Sequence, residues 1–282
     1  MGCDDENCLD YVKDQISPPY MIKPRFGGGG KNIRKTRDLA ELKNILESLK
    51  SSRQDFQYFI EPAIEGTDNI HLEYQYMGDG RGRVDLIGAR DCSPQVGRQK
   101  WLERSINLGK RPDIAQLGLN IGRRLGNYLS WGTVECLVKP DGTVHLLEVN
   151  PRLQVEHGVT ELDVGYDFIG RALELSCYHK LEKFEGSLKG SDDTLEFRLY
   201  ARTTGKITHL ELGQAKCWCT YREGMEISGA YDGMVARIII KDANGALESM
   251  KSWGSGLIVE GIGHNIGDLM DFGGFREIPM LR

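Results

Sequence analysis

Residues 132–150 constrain the fold of this chain most, because they contain two alternating runs on either side of a tight-turn sequence. The runs "GTVECLV" and "TVHLLEVN" have the period-two pattern of strands, and "KPDG" between them favours a hairpin. With a loop at 140–143, Glu135 lies directly opposite Glu148, and Asn150 follows two residues on. Two facing carboxylates are unfavourable unless a cation lies between them, and such oxygen ligands suit Mg²⁺ or Mn²⁺. We therefore predict an antiparallel sheet that carries a divalent-cation site.

Arg152 extends this row, because side chains two residues apart in a strand share a face. Its planar guanidinium offers a site for carboxylate, phosphate or bicarbonate. Leu146, Leu147 and Val149 indicate apolar surroundings, which disfavours the simpler interpretation of a solvated polar face. The row is therefore interpreted as a site where a metal ion and an anion bind together.

A glycine-rich segment near the start of the chain predicts a second binding element. "MIKPRFGGGGKN" places Lys23 on a short strand, followed closely by Gly27, Gly28, Gly29 and Gly30. Backbone N–H groups approach phosphate oxygens closely where no Cβ intrudes, and a nearby ammonium neutralises charge. The segment matches neither the Walker A pattern nor G-x-G-x-x-G, and a glycine turn without a ligand is the alternative.

Hydrophobic periodicity predicts how the elements are arranged. Helical spacing over 36–52 and alternating strands at 56–64 and 70–78 predict a compact α+β unit. We place this unit at residues 1–80 and a larger, strand-rich domain at residues 81–282. Further helices are predicted at 113–129 and 164–179.

Composition and charge exclude several classes of protein. The 36 basic and 41 acidic residues give a formal net charge of −5, which argues against a dedicated nucleic-acid binder. No apolar run approaches the length of a membrane span, and the acidic N-terminus is unlike a signal peptide. Seven cysteines, an odd number in mostly apolar contexts, indicate reduced thiols. We expect a soluble cytoplasmic protein with no nucleic-acid or membrane partner.

Several motifs follow one another along the chain in a recognisable order: "IKPRFGGGGKNIRK", "RDCSPQVGRQK", "VNPRLQVEHGVTE", "LEFRLYAR" and "AYDGMVARIII". In this order and style the chain resembles biotin carboxylase, the ATP-grasp component of the biotin-dependent carboxylases. The run N-x-R-L-Q-V-E-H is the most specific part, since other ATP-grasp ligases share the metal acids but not this continuation. The resemblance implies an α+β ATP-grasp fold with a glycine-loop lid and an antiparallel-sheet C-terminal domain. It also implies activation of bicarbonate by Mg-ATP and carboxylation of biotin.

The resemblance further implies roles for individual residues. ATP binding is implied for Lys23, Gly27, Gly28, Gly29, Gly30, Glu61, Ile64, His71 and Gln95. Metal binding is implied for Glu135, Glu148 and Asn150, and bicarbonate or biotin binding for Lys100, Arg152, Gln154, Val155, Glu156 and Arg198. Glu156 would be the base that deprotonates bicarbonate, a role that requires a raised pKa, with Lys100, Arg152 and Arg198 as the other catalytic side chains.

Departures from the family pattern bear on the partners. The chain begins almost at the lid, so we expect another polypeptide to supply the usual N-terminal domain, unless the chain is a fragment or has a reduced function. Arg98 stands where the family has a histidine, and no biotinyl-lysine motif occurs. A separate biotin carrier protein and a carboxyltransferase are therefore expected partners, and self-association is left open. The alternatives are a regulatory ATP-binding carboxylase subunit and another ATP-grasp carboxylate–amine ligase.

Overall fold

The computed structural model describes residues 8–26, 32–51, 57–96, 99–178, 190–212, 216–229, 233–242 and 245–282. The chain divides into two compact units, Met1–Thr67 and Asp68–Arg282. The predicted phosphate loop, Gly27 to Gly30, and the substituted position Arg98 lie outside the described residues. Among the residues described, no helix combines the length and the apolar character needed to cross a bilayer.

The first unit packs two helices, α1 (Cys8–Gln15) and α2 (Leu39–Ser51), with a small antiparallel sheet. The strands of this sheet are β1 (Tyr20–Pro24), β2 (Arg34–Thr36) and β3 (Tyr58–Pro62), in the order β2-β1-β3. Its core is apolar and contains buried side chains from both helices and two of the strands: Val12, Tyr20, Ile22, Leu42, Tyr58 and Ile60.

Helix α2 confirms the helix predicted over residues 36–52. The side chain of Asp38 accepts a hydrogen bond from the Glu41 backbone N–H (2.8 Å), which caps the first turn and places the start of the helix after Asp38. Leu42 is completely buried, and Ile45 and Leu49 pack against the same core. The predicted apolar stripe is therefore the face that attaches the helix to the sheet.

The second unit contains most of the strands of the chain. They are β4 (Ile70–Asp79), β5 (Val84–Asp91), β6 (Gln95–Val96), β7 (Gln99–Lys100), β8 (Leu102–Ser105), β9 (Leu129–Val138), β10 (Val144–Asn150), β11 (Thr194–Tyr200), β12 (Gly205–Lys206), β13 (His209–Glu211), β14 (Lys216–Cys219), β15 (Glu226–Ile227), β16 (Met234–Lys241) and β17 (Ile258–Glu260). An eight-stranded sheet has the order β10-β9-β4-β5-β8-β11-β16-β14, and all of its pairings are antiparallel. The predicted antiparallel sheet is thus confirmed.

Strand β4 belongs to this large sheet, although we predicted it within a first unit of residues 1–80. It pairs with β9 along its whole length and with β5 on its other side. Because these ladders bind β4 to the larger unit, the division between the two compact units falls after Thr67.

The helices of the second unit are α3 (Pro112–Leu125), α4 (His157–Val164), α5 (Phe168–Tyr178), α6 (Ala246–Gly254) and α7 (Ile266–Met270). Two of the predicted helices were too long. Gly126 ends α3 with a φ of 60°, so the predicted helix 113–129 gives way to strand β9 at Leu129. Gly165 ends α4 with a φ of 67°, so the helix predicted at 164–179 begins only at Phe168.

Helix α3 covers one face of the large sheet. Tyr74 and Tyr76 on β4 are completely buried there, and their hydroxyls donate hydrogen bonds to the carbonyl oxygens of Ile114 (3.1 Å) and Gly118 (2.8 Å). The apolar side chains of β4, β5 and β9 on this face form one core with the helix. The charged side chains described below therefore project from the opposite face.

Candidate functional site

The hairpin of β9 and β10 confirms the predicted pairing of Glu135 with Glu148. The connection spans residues 139–143, one residue more than predicted, and a bulge after Leu146 shifts the register by one residue. Without this bulge the continued register would place Leu147 opposite Glu135. Because of the extra residue in the bulge, the carboxylate of Glu148 and not the side chain of Leu147 lies opposite Glu135.

Asn150 links the two carboxylates of this hairpin. Its side-chain amide donates hydrogen bonds to Glu135 Oε1 (2.8 Å) and to Glu148 Oε1 (2.7 Å). The expectation of apolar surroundings was wrong, since Leu146 and Val149 are 62% and 41% exposed. The reason is that β10 is the edge strand of the sheet and has a neighbouring strand, β9, on one side only.

A row of charged residues crosses four neighbouring strands. Glu148, Glu135, Glu73 and Arg90 are successive cross-strand partners on β10, β9, β4 and β5. Glu73 and Arg90 are completely buried, and Arg90 Nη2 lies 2.9 Å from Glu73 Oε2. Since facing like charges destabilise a sheet, this arrangement requires cations beside the glutamates, and Arg90 provides one.

Lys100 on β7 connects this row to Glu156. Its Nζ forms an ion pair with Glu73, lies 2.5 Å from Glu156 Oε1 and lies 3.6 Å from Glu135 Oε1. Burial would lower the pKa of Lys100, but the charges of Glu73 and Glu156 outweigh burial and raise it. Lys100 is therefore a fixed positive charge at the centre of the buried face.

Arg198 on β11 approaches Glu156 from the side opposite Lys100. Its Nη2 lies 3.0 Å from Glu156 Oε2 and 2.6 Å from Glu103 Oε1. Arg152 is exposed, and its guanidinium donates a hydrogen bond to the Leu153 carbonyl oxygen (3.3 Å). Of the two predicted arginines, the described contacts thus join only Arg198 to Glu156.

Gln154 and Val155 lie beside these residues and differ in burial. Gln154 is 5% exposed and donates a hydrogen bond from Nε2 to Glu135 Oε1 (2.6 Å). Val155 is 41% exposed. Gln154 therefore belongs to the buried network, whereas the Val155 side chain lies at its surface.

The two predicted acids Glu156 and Glu135 are held in their ionised forms. Burial raises the pKa of Glu156, but the positive charges of Lys100 and Arg198 outweigh burial and hold the pKa well below its usual range. The raised pKa that a base requires is therefore not present in this arrangement, in which both oxygens of the carboxylate are ion-paired. Burial also raises the pKa of Glu135, but a hydrogen bond with His71 and the charge of Lys100 lower it to about 2.

His71 and Gln95 extend the network on the side of Glu135. His71 Nε2 lies 2.8 Å from Glu135 Oε2, and Gln95 Nε2 lies 2.5 Å from His71 Nδ1. Gln95 Nε2 also donates to the Cys92 carbonyl oxygen (2.8 Å), which fixes the orientation of its amide. His71 therefore accepts at Nδ1 and donates from Nε2, as a neutral imidazole does.

Lys23, Glu61 and Ile64 lie in the first unit. Lys23 and Glu61 form an ion pair across β1 and β3, with 15% and 29% of their side chains exposed. Ile64 follows β3 and is half-buried. These predicted nucleotide contacts thus share one part of the small sheet and keep partial access to solvent.

Sequence reasoning missed several buried charged residues of the second unit. Glu73 and Gln75 follow the predicted His71 at a spacing of two in "HLEYQ", the same signal that identified Glu148 and Asn150. Charged residues between the apolar residues of other strands were further signals. These residues are Arg90, Glu103, Glu196 and Arg237.

The side chains predicted to hold a divalent cation fit such a group chemically. Glu135 and Glu148 face each other, and the Asn150 amide, whose oxygen and nitrogen exchange places by a half-turn, contacts both. Two carboxylates and a carboxamide are hard oxygen donors of the kind preferred by Mg²⁺ and Mn²⁺. His71, Glu73 and Glu135 also cluster within 4.8 Å, but Lys100 and Arg90 already neutralise Glu73. The hairpin set therefore fits a metal ion better.

This combination of a small α+β unit and a large antiparallel sheet, one face of which holds an ionic network, defines an ATP-grasp protein. The sequence model described as "Carbamoyl-phosphate synthase L chain, ATP binding domain" matches residues 2–184, and the chain belongs to this family. The ATP-grasp fold predicted from the motifs is thus confirmed.

Named relatives confirm the resemblance to biotin carboxylases. Biotin carboxylase 2 of Bacillus subtilis is 30% identical over 272 residues, which cover 89% of this chain and 61% of the relative. The mitochondrial methylcrotonoyl-CoA carboxylase subunit alpha of Rattus norvegicus is 29% identical, over 96% of this chain and 41% of the relative. The chain therefore spans between about two fifths and three fifths of these relatives.

Solved structures give the same result for the fold. The biotin carboxylase domain of Hydrogenobacter thermophilus 2-oxoglutarate carboxylase, in complex with MgADP, ADP and bicarbonate, has a TM-score of 0.83 at 26% identity. The match covers 95% of this chain and 63% of that chain. The biotin carboxylase of Campylobacter jejuni has a TM-score of 0.79 at 25% identity, with coverages of 96% and 65%.

Proposed function

We propose that this chain activates bicarbonate with Mg-ATP and carboxylates biotin, as part of a biotin-dependent carboxylase. The observation that carries the proposal is the position of Lys100 and Arg198 on the two oxygens of the buried Glu156. A carboxylate between two cations offers positive charge to an anion and an acceptor for its proton at the same point. The names of the relatives, and the MgADP and bicarbonate bound in one structural neighbour, support this chemistry.

The proposal assigns the nucleotide and the metal ion to two different sets of residues. The residues proposed to contact ATP are Lys23, the glycine loop, Glu61, Ile64, His71 and Gln95. Glu135, Glu148 and Asn150 would hold Mg²⁺ or Mn²⁺, which, when bound, neutralises charge on the phosphates. This division assigns the first unit the role of an ATP-grasp lid.

The reaction would begin with the attack of a bicarbonate oxygen on the γ-phosphorus of ATP. The bond from this phosphorus to the β–γ bridging oxygen breaks, so that carboxyphosphate and ADP form, and Glu156 accepts the bicarbonate proton. Lys100 and Arg198 would bind the anion, and their movement towards it weakens their hold on Glu156 and raises its basicity. Carboxyphosphate would then decompose into CO₂ and phosphate through cleavage of its carbon–oxygen bond. The phosphate would accept the proton of the biotin ureido nitrogen, and this nitrogen would attack the CO₂ carbon.

The partners follow from the same proposal. Biotin would be presented on a separate carrier protein, and a carboxyltransferase would use the carboxylated product. A further polypeptide would supply the N-terminal domain usual in the family, and the assembly would work in the cytoplasm. Relatives such as the methylcrotonoyl-CoA and propionyl-CoA carboxylase alpha subunits belong to assemblies of several components, as their names state.

The test is ADP release from Mg-ATP by the purified chain, measured with and without bicarbonate and free biotin. We expect release that requires bicarbonate, is stimulated by biotin and falls by about 100-fold or more in Glu156→Gln. Glu174→Gln makes the same chemical change on the exposed side of α5 and serves as the matched control. Release that is independent of bicarbonate, or unchanged in Glu156→Gln, would contradict the proposal, as would a failure to bind Mg-ATP in calorimetry.

A further inference from the structure

Two glutamates that are buried more deeply than Glu156 are direct partners on neighbouring strands, with no cationic residue between them in the strand pairing. Glu103 on β8 and Glu196 on β11 are direct cross-strand partners, and both are completely buried. Like charges in this position destabilise a sheet, and burial makes each uncompensated charge costly. The proposed reaction uses neither residue.

Arginine side chains surround this pair but satisfy it incompletely. Arg198 Nη2 lies 2.6 Å from Glu103 Oε1, and Arg198 Nε lies 3.4 Å from Glu196 Oε1. Arg237 Nη1 lies 3.7 Å from Glu196 Oε2, with its guanidinium 4.8 Å from the Trp218 ring. Within the described part of the chain, none of the four carboxylate oxygens has a hydrogen-bond partner of good geometry. Such orphaned acceptors require an explanation.

The charge balance of the buried face provides one. Its buried carboxylates are Glu73, Glu103, Glu135, Glu156 and Glu196, and its cations are Arg90, Lys100, Arg198 and Arg237. Four positive and five negative groups give 4 − 5 = −1. His71, which also touches this face, has the hydrogen-bond pattern of a neutral imidazole. Burial raises the pKa of the nearby Cys92 thiol and lowers the pKa of His157, so both groups are uncharged near neutral pH. One additional proton on a carboxylate would make the buried network neutral.

We infer that Glu103 and Glu196 hold this proton in common, and that the resulting carboxyl pair positions Arg198 for the anion that Glu156 also contacts. A shared proton converts the repulsion between two facing carboxylates into a hydrogen bond between a carboxyl and a carboxylate. It also leaves Arg198 opposite a pair with a single negative charge. The pair of glutamates then does not fully neutralise Arg198, so that part of its positive charge remains available to a bound anion.

The local electrostatics agree with this geometry. Burial raises the pKa of Glu103 well above its usual range, although Arg198 opposes the effect. Burial likewise raises the pKa of Glu196 to about 7, against the lowering effect of Arg198 and Arg237. The other charged groups that act on the pair are Glu156, which raises both values, Lys100, which lowers that of Glu103, and Arg90, which lowers that of Glu196. The pair is thus the part of the face that retains a proton near neutral pH.

The consequence for the reaction rests on the proposed function. Loss of the shared proton as the pH rises adds a negative charge beneath Arg198 and weakens anion binding. At pH values above that at which the shared proton is lost, KM for bicarbonate would rise by up to about tenfold per pH unit, with a smaller change in kcat. Glu196→Gln removes the facing carboxylate, so no second negative charge can form beneath Arg198. This rise should therefore disappear while KM at low pH stays close to that of the unsubstituted chain.

Infrared difference spectroscopy on the purified chain tests the shared proton without any substrate. We expect the C=O band of a protonated carboxyl at pH 6, its loss at pH 8.5, and a different pH dependence of the band in both Glu103→Gln and Glu196→Gln, because each substitution removes one of the two partners. Glu174→Gln should leave the pH dependence unchanged. Absence of the band from the unsubstituted chain would overturn the inference even if a variant failed to fold, and so would an unchanged pH dependence of the band in both folded variants.

The two proposals fail in distinguishable ways. A titrating carboxyl band in a chain that shows no bicarbonate-dependent ADP release would contradict the proposed function and support the shared proton. Bicarbonate-dependent release without the band, and with a KM that rises equally in Glu196→Gln, would overturn the shared proton only.

Discussion

Strand β4 buries Leu72, Tyr74 and Tyr76 against helix α3 on one face and Glu73 and Gln75 among charged side chains on the other. Both faces exclude water to the same extent, but different forces stabilise them. The apolar face gains free energy roughly in proportion to buried area, so each side chain contributes separately. The ionic face gains little net free energy, because desolvation offsets the attraction between its charges. Its charges nevertheless depend on one another, which makes this face intolerant of single substitutions.

The largest effect should come from removing one cation of the ionic face. Arg90 is completely buried and donates hydrogen bonds to Glu73, Gln75 and Thr160 at 2.8 to 3.0 Å. Arg90→Met keeps a long side chain but removes these three hydrogen bonds and one of the two cations beside Glu73, and should lower the free energy of unfolding by about 3–5 kcal/mol. Urea unfolding measures the change.

A double-mutant cycle sharpens this prediction. Adding Glu73→Gln to Arg90→Met removes the carboxylate that has lost its arginine, so the double variant should cost less than the sum of the two single variants. Strictly additive costs, or a loss below about 1 kcal/mol for Arg90→Met, would show that the ionic face is no more interdependent than the apolar one.

A matched loss on the apolar face should separate stability from activity. Leu86 on β5 is 4% exposed and packs in the core beneath α3. Leu86→Ala should lower the free energy of unfolding by about 2–4 kcal/mol through the lost contacts and the remaining cavity. ADP release per folded molecule should stay unchanged, because Leu86 faces away from the ionic network. A fall in release per folded molecule, measured well below the unfolding midpoint, would contradict the independence of the two faces.

Glycines of α3 provide a finer probe of packing on the apolar face. A Cβ added at Gly118 would come within 2.8 Å of the Tyr74 ring and of Leu86, whereas one added at Gly122 would come within 3.2 Å of the Tyr76 ring. Gly118→Ala should therefore cost about 1–3 kcal/mol through overpacking. At Gly122 the helix-propensity gain of about 1 kcal/mol should largely offset the milder crowding. Thermal and urea unfolding of the two variants should rank them in this order, and equal effects would show that α3 shifts freely over the sheet.

The sequence predicted the parts of the molecule in which local pattern and tertiary structure coincide. The hairpin, the antiparallel sheet and the pairing of Glu135 with Glu148 follow from alternation and turn chemistry alone. The way in which this pairing arises could not be predicted, because the five-residue connection and the bulge after Leu146 compensate each other.

The predicted helix boundaries near Gly126 and Gly165 were wrong because of the local backbone conformation. Both glycines have left-handed φ angles that end a helix although the apolar pattern continues. Hydrophobic periodicity contains no information about such a change in backbone conformation. In the site, the motif suggested that Arg152 and Arg198 act together, but Arg152 lies beyond the end of β10 and is exposed. The protonation of Glu156 could not be predicted either, since it depends on cations from β7 and β11.

The smallest effect concerns an ion pair outside the ionic face, at the start of α3. Arg111 contacts Asp113 through Nε (2.9 Å) and Nη2 (2.6 Å), and the Leu281 backbone N–H donates to the same carboxylate (3.1 Å). The hydrogen bond from Arg111 lowers the pKa of Asp113 from 3.8 to about 2. A lowered folded-state pKa stabilises the fold above the unfolded-state value, and this contribution is lost as the pH falls towards 2.

Asp113→Asn should therefore lower the free energy of unfolding by about 1–2 kcal/mol at pH 7, and the difference from the unsubstituted chain should vanish as the pH falls from about 4 to about 2. Urea unfolding across this range measures it, with Asp271→Asn at an exposed position as the control for the chemical change. This pair differs from Lys100 and Glu156 in having one cation, one carboxylate and no further charged neighbour in direct contact among the described residues. A cost above about 3 kcal/mol would show that the pair of Arg111 and Asp113 is as sensitive to substitution as the buried network, so that the number of charged neighbours would not explain the sensitivity of the network.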